Sequence, residues 1–481
     1  MISSKSLVVI ILQLIQALLA AAITIYIARL LGAENYGKYI YMITATSLLP
    51  LFIGLGGEHV FIMEASRDMN LLPVFFSNAV FIRSVLTAVA LVVAIITCFA
   101  FRVNDSWPFM LVLAGSLLAV FPNPLFLSLY RVKGIHIRPW VLLFITPLFF
   151  IGYLFLYRNM IDLSVVSTGF FFSQFIVFVL FIIDTRRIVE FKVDFKFLKM
   201  NVRKGIIFSV SQAFDFAFAR LDIFMLQFLL GPFSVGIYAA GQRVVSLLQL
   251  IPSSFHIVEL PEFHRISHDK QRLEARFRSL RKLLMELAML CFGLLIINAS
   301  YIVTVLFSDL YTDTVHIVIL LAVSSAIVFV NYPYYMLAEA VNKIKQRMYV
   351  RIATFILTIL FIYVMVQLLG TTGAAIGLIT GQFLFMLFLH RLTKSENGGL
   401  LAIVKDFKFL PVFAILAIMS WSVKLVVSSS LTGALLSSFL FLVTVTIFEI
   451  TINKGDIFKL VKTLKEQINS NSHDEGISGT E

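Results

Sequence analysis

Five charged residues with side chains suited to binding ions lie inside long apolar stretches of the sequence. Asp215, Arg220 and Asp222 belong to one stretch, Arg243 to the next, and Arg83 to an earlier one. A charge at the centre of a membrane helix costs roughly 2.5–3.5 kcal/mol on insertion scales, so it normally faces a polar cavity or a partner. The pattern therefore predicts a charged vestibule inside a membrane-embedded bundle.

The arginines and the aspartates suggest different roles in that vestibule. A guanidinium group presents a planar fork that matches phosphate oxygens, so Arg83, Arg220 and Arg243 are expected to attract a diphosphate. The 3.6-residue period places Asp215 and Asp222 on one helix face and points Arg220 away from both. The two carboxylates can hold the arginines in place or take up a coupling ion, H⁺ or Na⁺. Buried ion pairs that fasten neighbouring helices are the alternative explanation for all five.

Further polar residues add to the predicted cavity lining. Gln13 and Gln16 lie in the first apolar stretch, and Glu58 lies near the end of the second. The two glutamines are expected either to face a sugar or to form hydrogen bonds between helices. The sequence contains no GxxxxGK[ST] phosphate loop, and His264 and His268 lack the HExxH pattern of a zinc site. We therefore expect no catalytic residues, no metal site and no resident cofactor.

The composition requires a membrane to position these residues. The 481-residue chain is 59% hydrophobic and 14% charged, whereas soluble domains are about 25% charged. Each helix that crosses the hydrocarbon core needs about 20 apolar residues, and about 14 stretches qualify. The predicted spans are 7–31, 38–62, 79–101, 107–130, 139–157, 163–184, 205–230, 233–257, 283–307, 314–341, 348–369, 372–390, 409–428 and 431–452.

The basic residues predict the orientation of the chain. The net charge is +12, and Lys and Arg near span ends are retained on the cytoplasmic side. The basic connections at 185–204 and 260–282 then fall on one side, together with Lys343, Lys345 and Arg347. Both termini are therefore predicted to be cytoplasmic. Because membrane orientation accounts for the basic residues, nucleic acid is not expected as a partner.

Part of the sequence occurs twice. The motif L-L-G-x-x-x-x-G-x-Y at 30–39 recurs at 229–238, an offset of 199 residues. At an offset of 209, Pro124, Val132, Ile135 and Arg138 recur as Pro333, Val341, Ile344 and Arg347. An even number of spans in each copy makes this a parallel repeat, the arrangement with which some transporters move two halves about a midplane site. The predicted organisation is an N-lobe at 1–184, a basic linker at 185–204, a C-lobe at 205–390, peripheral helices at 391–452 and a cytoplasmic tail at 453–481.

The motifs are similar to those of a known family. A-R-L-L-G-A-E-N-Y-G-K-Y at 28–39, R-L-D at 220–222, V-G-I-Y-A-A-G-Q-R at 235–243 and G-T-T-G-A-A at 370–375 resemble the polysaccharide-type flippases of the multidrug/oligosaccharidyl-lipid/polysaccharide exporter superfamily. O-antigen and capsule-repeat flippases are the most similar members. The resemblance implies an all-α fold of two six-helix lobes and two peripheral helices, a central cationic cavity and alternating access.

The resemblance also implies a substrate and a setting. The substrate would be an undecaprenyl-diphosphate-linked glycan, moved across the bacterial inner membrane among membrane lipids. A polysaccharide polymerase and a chain-length regulator are the expected partners. A cation-coupled drug or metabolite antiporter of the same superfamily is the main alternative, which the aspartates favour and the two additional helices disfavour. A glycan polymerase or glycosyltransferase would need a long outer loop or a soluble domain, and a structural scaffold would not require buried basic residues.

Overall fold

A computed structural model describes residues 4–49, 53, 72–100, 105–135, 137–194, 220–394 and 434–443. Every regular element in these ranges is helical, as the sequence predicts. Nine helical runs in these ranges are long and apolar enough to cross a membrane, with residues 232–265 counted as one run. The chain divides into two compact units, one of residues 2–240 and one of 241–481. The predicted lobe boundaries at 184 and 205 stay a prediction.

The first unit begins with a helix that is broken once. Helix α1 runs from Ser4 to Thr46, but Gly32 interrupts it with a backbone φ of 68°, a left-handed conformation that glycine adopts at little cost. The elements that follow are α2 (Leu72–Ala100), α3 (Ser106–Leu118), a π-helix (Phe121–Phe126), α4 (Leu127–Val132), α5 (Arg138–Leu156) and α6 (Leu163–Thr185). Residues 220–229 are helical, and α7 (Pro232–Leu248) crosses the border between the units.

The second unit contains long antiparallel pairs of helices. Its elements are α8 (Leu250–Arg265), α9 (Lys270–Phe307), a 3₁₀ turn (Asp309–Tyr311), α10 (Thr314–Ala340), α11 (Ile344–Leu369) and α12 (Thr371–Leu392). Residues 434–443 form a further apolar helix.

Two predicted boundaries are wrong, each for a physical reason. The predicted span 107–130 is interrupted by the π-helix, because Pro122 and Pro124 lack the N–H groups that an α-helix needs. The predicted basic loop 260–282 is largely helical. Helix α9 begins there at Lys270, where the Asp269 carboxylate accepts a hydrogen bond from the backbone N–H of Arg272 at 3.1 Å. The predicted span 233–257 lies within the apolar helical run 232–265, in which Gln249 separates α7 from α8. The predicted span 409–428 lies outside the described residues.

Glycines set the close packing of α11 against α12. A Cβ atom on Gly373 would lie 1.9 Å from the Met365 carbonyl oxygen, and one on Gly381 would lie 2.1 Å from the Thr358 hydroxyl. Small residues four apart allow membrane helices to approach backbone to backbone, where dispersion rather than the hydrophobic effect favours association. The short connection at Gly370, with φ of 62°, joins the two helices.

Candidate functional site

The two copies of the L-L-G-x-x-x-x-G-x-Y motif contact each other. Gly32 and Gly231 both have positive φ, 68° and 86°, and each ends one helix just before the next begins. A Cβ on Gly37 would lie 1.8 Å from the Pro232 carbonyl oxygen, and one on Gly236 would lie 1.8 Å from the Ala33 carbonyl oxygen. Positions 33 and 232, like 37 and 236, are equivalent at the offset of 199. The contact is therefore reciprocal, as a two-fold axis between the motif copies requires.

A buried carboxylate lies beside this contact. Asp222 is 2% exposed. Its Oδ2 accepts a hydrogen bond from the Tyr238 hydroxyl at 2.8 Å, and its Oδ1 accepts one from the Ile223 backbone N–H at 2.8 Å. Tyr238 is the last residue of the second motif copy and is fully buried. These donors offset the cost of burying a carboxylate, and they tie the helix at 220–229 to α7.

Arg83 lies against the break between α3 and α4. Its guanidinium donates a hydrogen bond to the Val120 carbonyl at 3.0 Å, and the residue is 2% exposed. In an α-helix, that carbonyl would accept from the residue four positions later, which here is Pro124 and has no N–H. Arg83 therefore supplies a donor where the proline cannot. At the offset of 209 the equivalent residues, Phe292 and Phe329, make an edge-to-face ring contact at 5.1 Å.

The structure describes most of the predicted site residues. Arg220 and Asp222 share one helical segment, with Arg220 half-buried and Asp222 buried. On α1, Gln13 is exposed and Gln16 is half-buried. Arg243 is half-buried and belongs to the second unit. Asp215 and Glu58 lie outside the described residues. The vestibule that these residues were predicted to share stays a prediction.

Sequence reasoning missed a buried polar group in the first unit. Asp184, at the end of α6, accepts hydrogen bonds from the Tyr130 hydroxyl and from the guanidinium of Arg138. Tyr130 is fully buried and Asp184 is 8% exposed. The group holds the turn between α4 and α5 against α6. The recurrence of Arg138 as Arg347 was the one signal in the sequence that pointed to it.

The second unit contains a related turn with a different acid. Arg347, at the start of α11, forms an ion pair with Glu339, near the end of α10. The left-handed residue of the turn is Asn342, with φ of 56°, where the first unit has Gly134 with φ of 71°. These two positions are 208 residues apart, so the offset of 209 read from the sequence is wrong by one residue at this turn.

Further buried charges of the second unit lie in the segment that was predicted to be a loop. Arg276 makes two hydrogen bonds to the Glu259 carboxylate, at 2.9 and 2.6 Å. Arg281 is 2% exposed, donates to the Tyr334 hydroxyl at 3.2 Å and lies 5.0 Å from the Phe277 ring centroid. Because Phe277 and Arg281 are four residues apart, they share one face of α9. That spacing was visible in the sequence, but a basic segment is ordinarily solvated.

Comparison with known proteins adds a family to this geometry. The family model described as polysaccharide biosynthesis protein matches residues 26–316, which is more than half of the chain. The chain belongs to this family. The matched range contains both motif copies, Arg83, Asp222 and Arg243. A search of curated proteins returned no match.

Solved structures show which fold this chain shares. Lipid II flippase MurJ in an inward closed conformation is 14% identical, with a TM-score of 0.75, and the match covers 92% of this chain and 99% of that one. An inward-facing multidrug resistance MATE family transporter of the MOP superfamily is 16% identical, with a TM-score of 0.64 and coverages of 79% and 94%. A MOP superfamily transporter from Pyrococcus furiosus Vc1 is 12% identical, with a TM-score of 0.57 and coverages of 81% and 95%. At these identities the likeness shows the fold.

Proposed function

We propose that this protein is a flippase that moves a polyprenyl-diphosphate-linked oligosaccharide, an O-antigen or similar repeat unit, across a bacterial cytoplasmic membrane by alternating access. One observation carries the proposal. A family model for polysaccharide biosynthesis matches residues 26–316 of a chain whose fold matches a lipid II flippase over 99% of that flippase. Membership of a polysaccharide pathway and a fold used to move a lipid-linked sugar favour the same substrate class.

The charged residues have distinct roles in this proposal. Arg220 and Arg243 attract the diphosphate, because guanidinium groups bind phosphate oxygens with paired donors. Arg83 contributes positive potential while it satisfies the Val120 carbonyl. The sugar occupies the predicted charged vestibule, and the polyprenyl tail stays in lipid. The glycan passes to a polysaccharide polymerase and its chain-length regulator at the outer leaflet, and both termini of the flippase lie in the cytoplasm.

A cation-coupled antiporter of the same superfamily is the second candidate. It is favoured by the buried Asp222 and by the similarity to a multidrug resistance MATE family transporter. The coverage counts against it, because the match to that transporter spans 79% of this chain and the match to the flippase spans 92%. A flippase that uses a proton or sodium gradient would also explain Asp222.

The decisive experiment measures which leaflet holds the glycan. Purified protein is reconstituted into liposomes that carry a fluorescent undecaprenyl-diphosphate oligosaccharide, and a membrane-impermeant glycosidase reports the fraction of outer-leaflet sugar over time. Protein-containing vesicles should expose nearly all of the substrate to the enzyme, whereas protein-free vesicles should expose about half. If the same fraction of sugar resists the glycosidase in both kinds of vesicle, the flippase proposal is refuted. Export of a cationic dye without glycan movement would establish the antiporter.

A deletion strain provides the cellular test. Loss of the gene should leave the lipid-linked glycan on the inner leaflet and remove the surface glycan. At matched expression, Arg243→Ala should restore less surface glycan than Lys424→Ala, because Arg243 lies in the repeated core and Lys424 lies in a predicted peripheral helix. Equal restoration by both variants would contradict the assigned role of Arg243.

A further inference from the structure

A row of aromatic rings with two arginines over it lies in the second unit. The ring centroids of His256 and Tyr332 are 6.0 Å apart, those of Tyr332 and Tyr335 are 5.5 Å apart, and those of Tyr335 and Phe385 are 5.7 Å apart. We call this set the arginine–aromatic surface; its members are His256, Tyr332, Tyr335, Phe385, Arg347 and Arg351. It combines side chains of α8, α10, α11 and α12, so the folded unit assembles it from four helices.

The arginines are held in place by the rings and by one acid. The guanidinium carbon of Arg347 lies 5.8 Å from the Tyr335 ring centroid, and that of Arg351 lies 4.7 Å from the Phe385 ring centroid. Glu339 pairs with Arg347, and its other oxygen lies 3.8 Å from His256. The set therefore contains two guanidinium groups and one carboxylate. Cation–π contacts orient both guanidinium groups, and Arg347 also donates a hydrogen bond to Glu339.

The surface is accessible, unlike the core beneath it. Phe385 is 2% exposed and forms its base, while Tyr332, Tyr335 and Arg351 are half-buried. The side chains of Arg347 and His256 are 27% and 28% exposed. The neighbouring Tyr334 is fully buried, so α10 places one tyrosine in the core and two at the surface. Helix α10 ends at Ala340 and α11 begins at Ile344, and the connection between them, which contains Lys343, is predicted to be cytoplasmic.

We propose that the arginine–aromatic surface binds a sugar phosphate, namely the diphosphate and first sugar of the lipid-linked glycan as it is taken from the inner leaflet. The apolar C–H face of a sugar ring packs on an aromatic face, whose negative quadrupole attracts those hydrogens. The adjoining guanidinium groups supply paired donors for phosphate oxygens. The inference rests on the proposed function, to which it adds a first docking position formed by α8, α10, α11 and α12.

Binding by the purified full-length protein in lipid nanodiscs tests the surface. The probe is an undecaprenyl-diphosphate-linked disaccharide, and dissociation constants are measured by microscale thermophoresis. Tyr335→Leu should weaken binding about threefold to tenfold, and Tyr335→Phe should retain it, because the ring face and not the hydroxyl makes the contact. Arg347→Lys keeps the charge opposite Glu339 but loses the planar fork, so it should weaken binding by about tenfold.

Matched controls separate binding from stability. Tyr349→Leu removes an exposed tyrosine of α11, the helix that contains Arg347. Arg265→Ala removes an arginine whose side chain is 77% exposed. Both variants should bind the probe as tightly as the unaltered protein does. Melting temperatures identify any variant that is merely misfolded, and Tyr335→Phe retains the packing of the ring. Unchanged affinity in folded Tyr335→Leu and Arg347→Lys proteins would overturn the proposal.

Two further probes identify the source of the phosphate. A nucleotide diphosphate sugar in solution and phosphatidylglycerol in the nanodisc carry the same anionic chemistry. If each compound competes only weakly with the undecaprenyl-diphosphate-linked disaccharide, the lipid-linked glycan is supported as the ligand. If either compound competes as strongly as the unlabelled disaccharide does, that choice of ligand is overturned. If the protein fails to flip the glycan yet binds it through this surface, the proposed function fails and the docking site stands. If the protein flips the glycan and binding does not depend on these residues, the proposed function stands and the docking site fails.

Discussion

A single methyl group added at Gly236 should push two helices apart. A Cβ at this position would lie 1.8 Å from the Ala33 carbonyl oxygen, whereas real Cβ atoms essentially never come within 3.0 Å of a neighbouring atom. Because the obstacle is backbone, no rotamer change relieves it, and the two helices must separate by about 1.2 Å. Overpacking of this kind costs typically 1–3 kcal/mol. We expect Gly236→Ala to lower the free energy of unfolding by about that amount.

The prediction has an internal replicate and a matched control. Gly37→Ala meets the Pro232 carbonyl oxygen at the same 1.8 Å, so it should cost about as much as Gly236→Ala. Since one separation of the helices relieves both clashes, the double variant should cost less than the sum of the single ones. Gly152→Ala, in α5, meets nothing within 4 Å and should be neutral or stabilising by up to about 1 kcal/mol, because alanine favours the helix.

The assay is reversible unfolding of the purified protein in mixed micelles, followed by tryptophan fluorescence or proteolysis. Gly236→Ala and Gly37→Ala should unfold at lower denaturant than the unaltered protein, and Gly152→Ala should not. A stability of Gly236→Ala equal to that of Gly152→Ala would show that the close contact is not a constraint. Full additivity in the double variant would show that the two contacts are independent.

Further substitutions test three buried polar groups. In a double-mutant cycle, Asp222→Asn and Tyr238→Phe should show a coupling energy of about 1.5–3 kcal/mol, because the hydrogen bond is charged and buried; a coupling near zero would remove it as a stabilising contact. If Asp222 is also the coupling site, Asp222→Asn should abolish the ion dependence of glycan movement and Tyr238→Phe should preserve it. Arg83→Ala should destabilise by about 1–3 kcal/mol in the same unfolding assay, since a buried carbonyl loses its donor; unchanged stability would favour a role in substrate binding alone. Arg276→Ala should destabilise the protein by about 3–5 kcal/mol, because it leaves the buried Glu259 carboxylate unpaired. Arg278→Ala, at an exposed position, should cost less than about 1 kcal/mol. Similar losses of stability in the two variants would contradict this distinction.

Helix positions were largely readable from the sequence, because a membrane imposes a length and an apolar character on every span. The predicted spans 139–157 and 314–341 differ by one residue at most from α5 and α10. Glycine most readily adopts the positive φ observed at positions 32 and 231. What the sequence did not indicate is that the two motif copies contact each other.

Pairing between distant side chains was the part that could not be predicted. Arg83 was expected in a vestibule because a buried arginine usually indicates function, yet its observed partner is a carbonyl 37 residues away. The missing donor of Pro124 was a sequence signal for such a partner, but nothing in the sequence specified which side chain would supply it. Arg281 was placed in a solvated loop because its neighbours are basic, and only the packing of α9 against α10 buries it.

The reciprocal glycine contact also has an evolutionary consequence. An arrangement in which Ala33 meets Gly236 and Gly37 meets Pro232 is the one that two identical polypeptides make when they associate about a dyad. In a homodimer of a half-length ancestor, every substitution would have been present in both subunits. After gene fusion each copy varies alone, and Arg83 and Phe292 record such divergence at matching places. The backbone approach between the glycines is what both copies have had to retain.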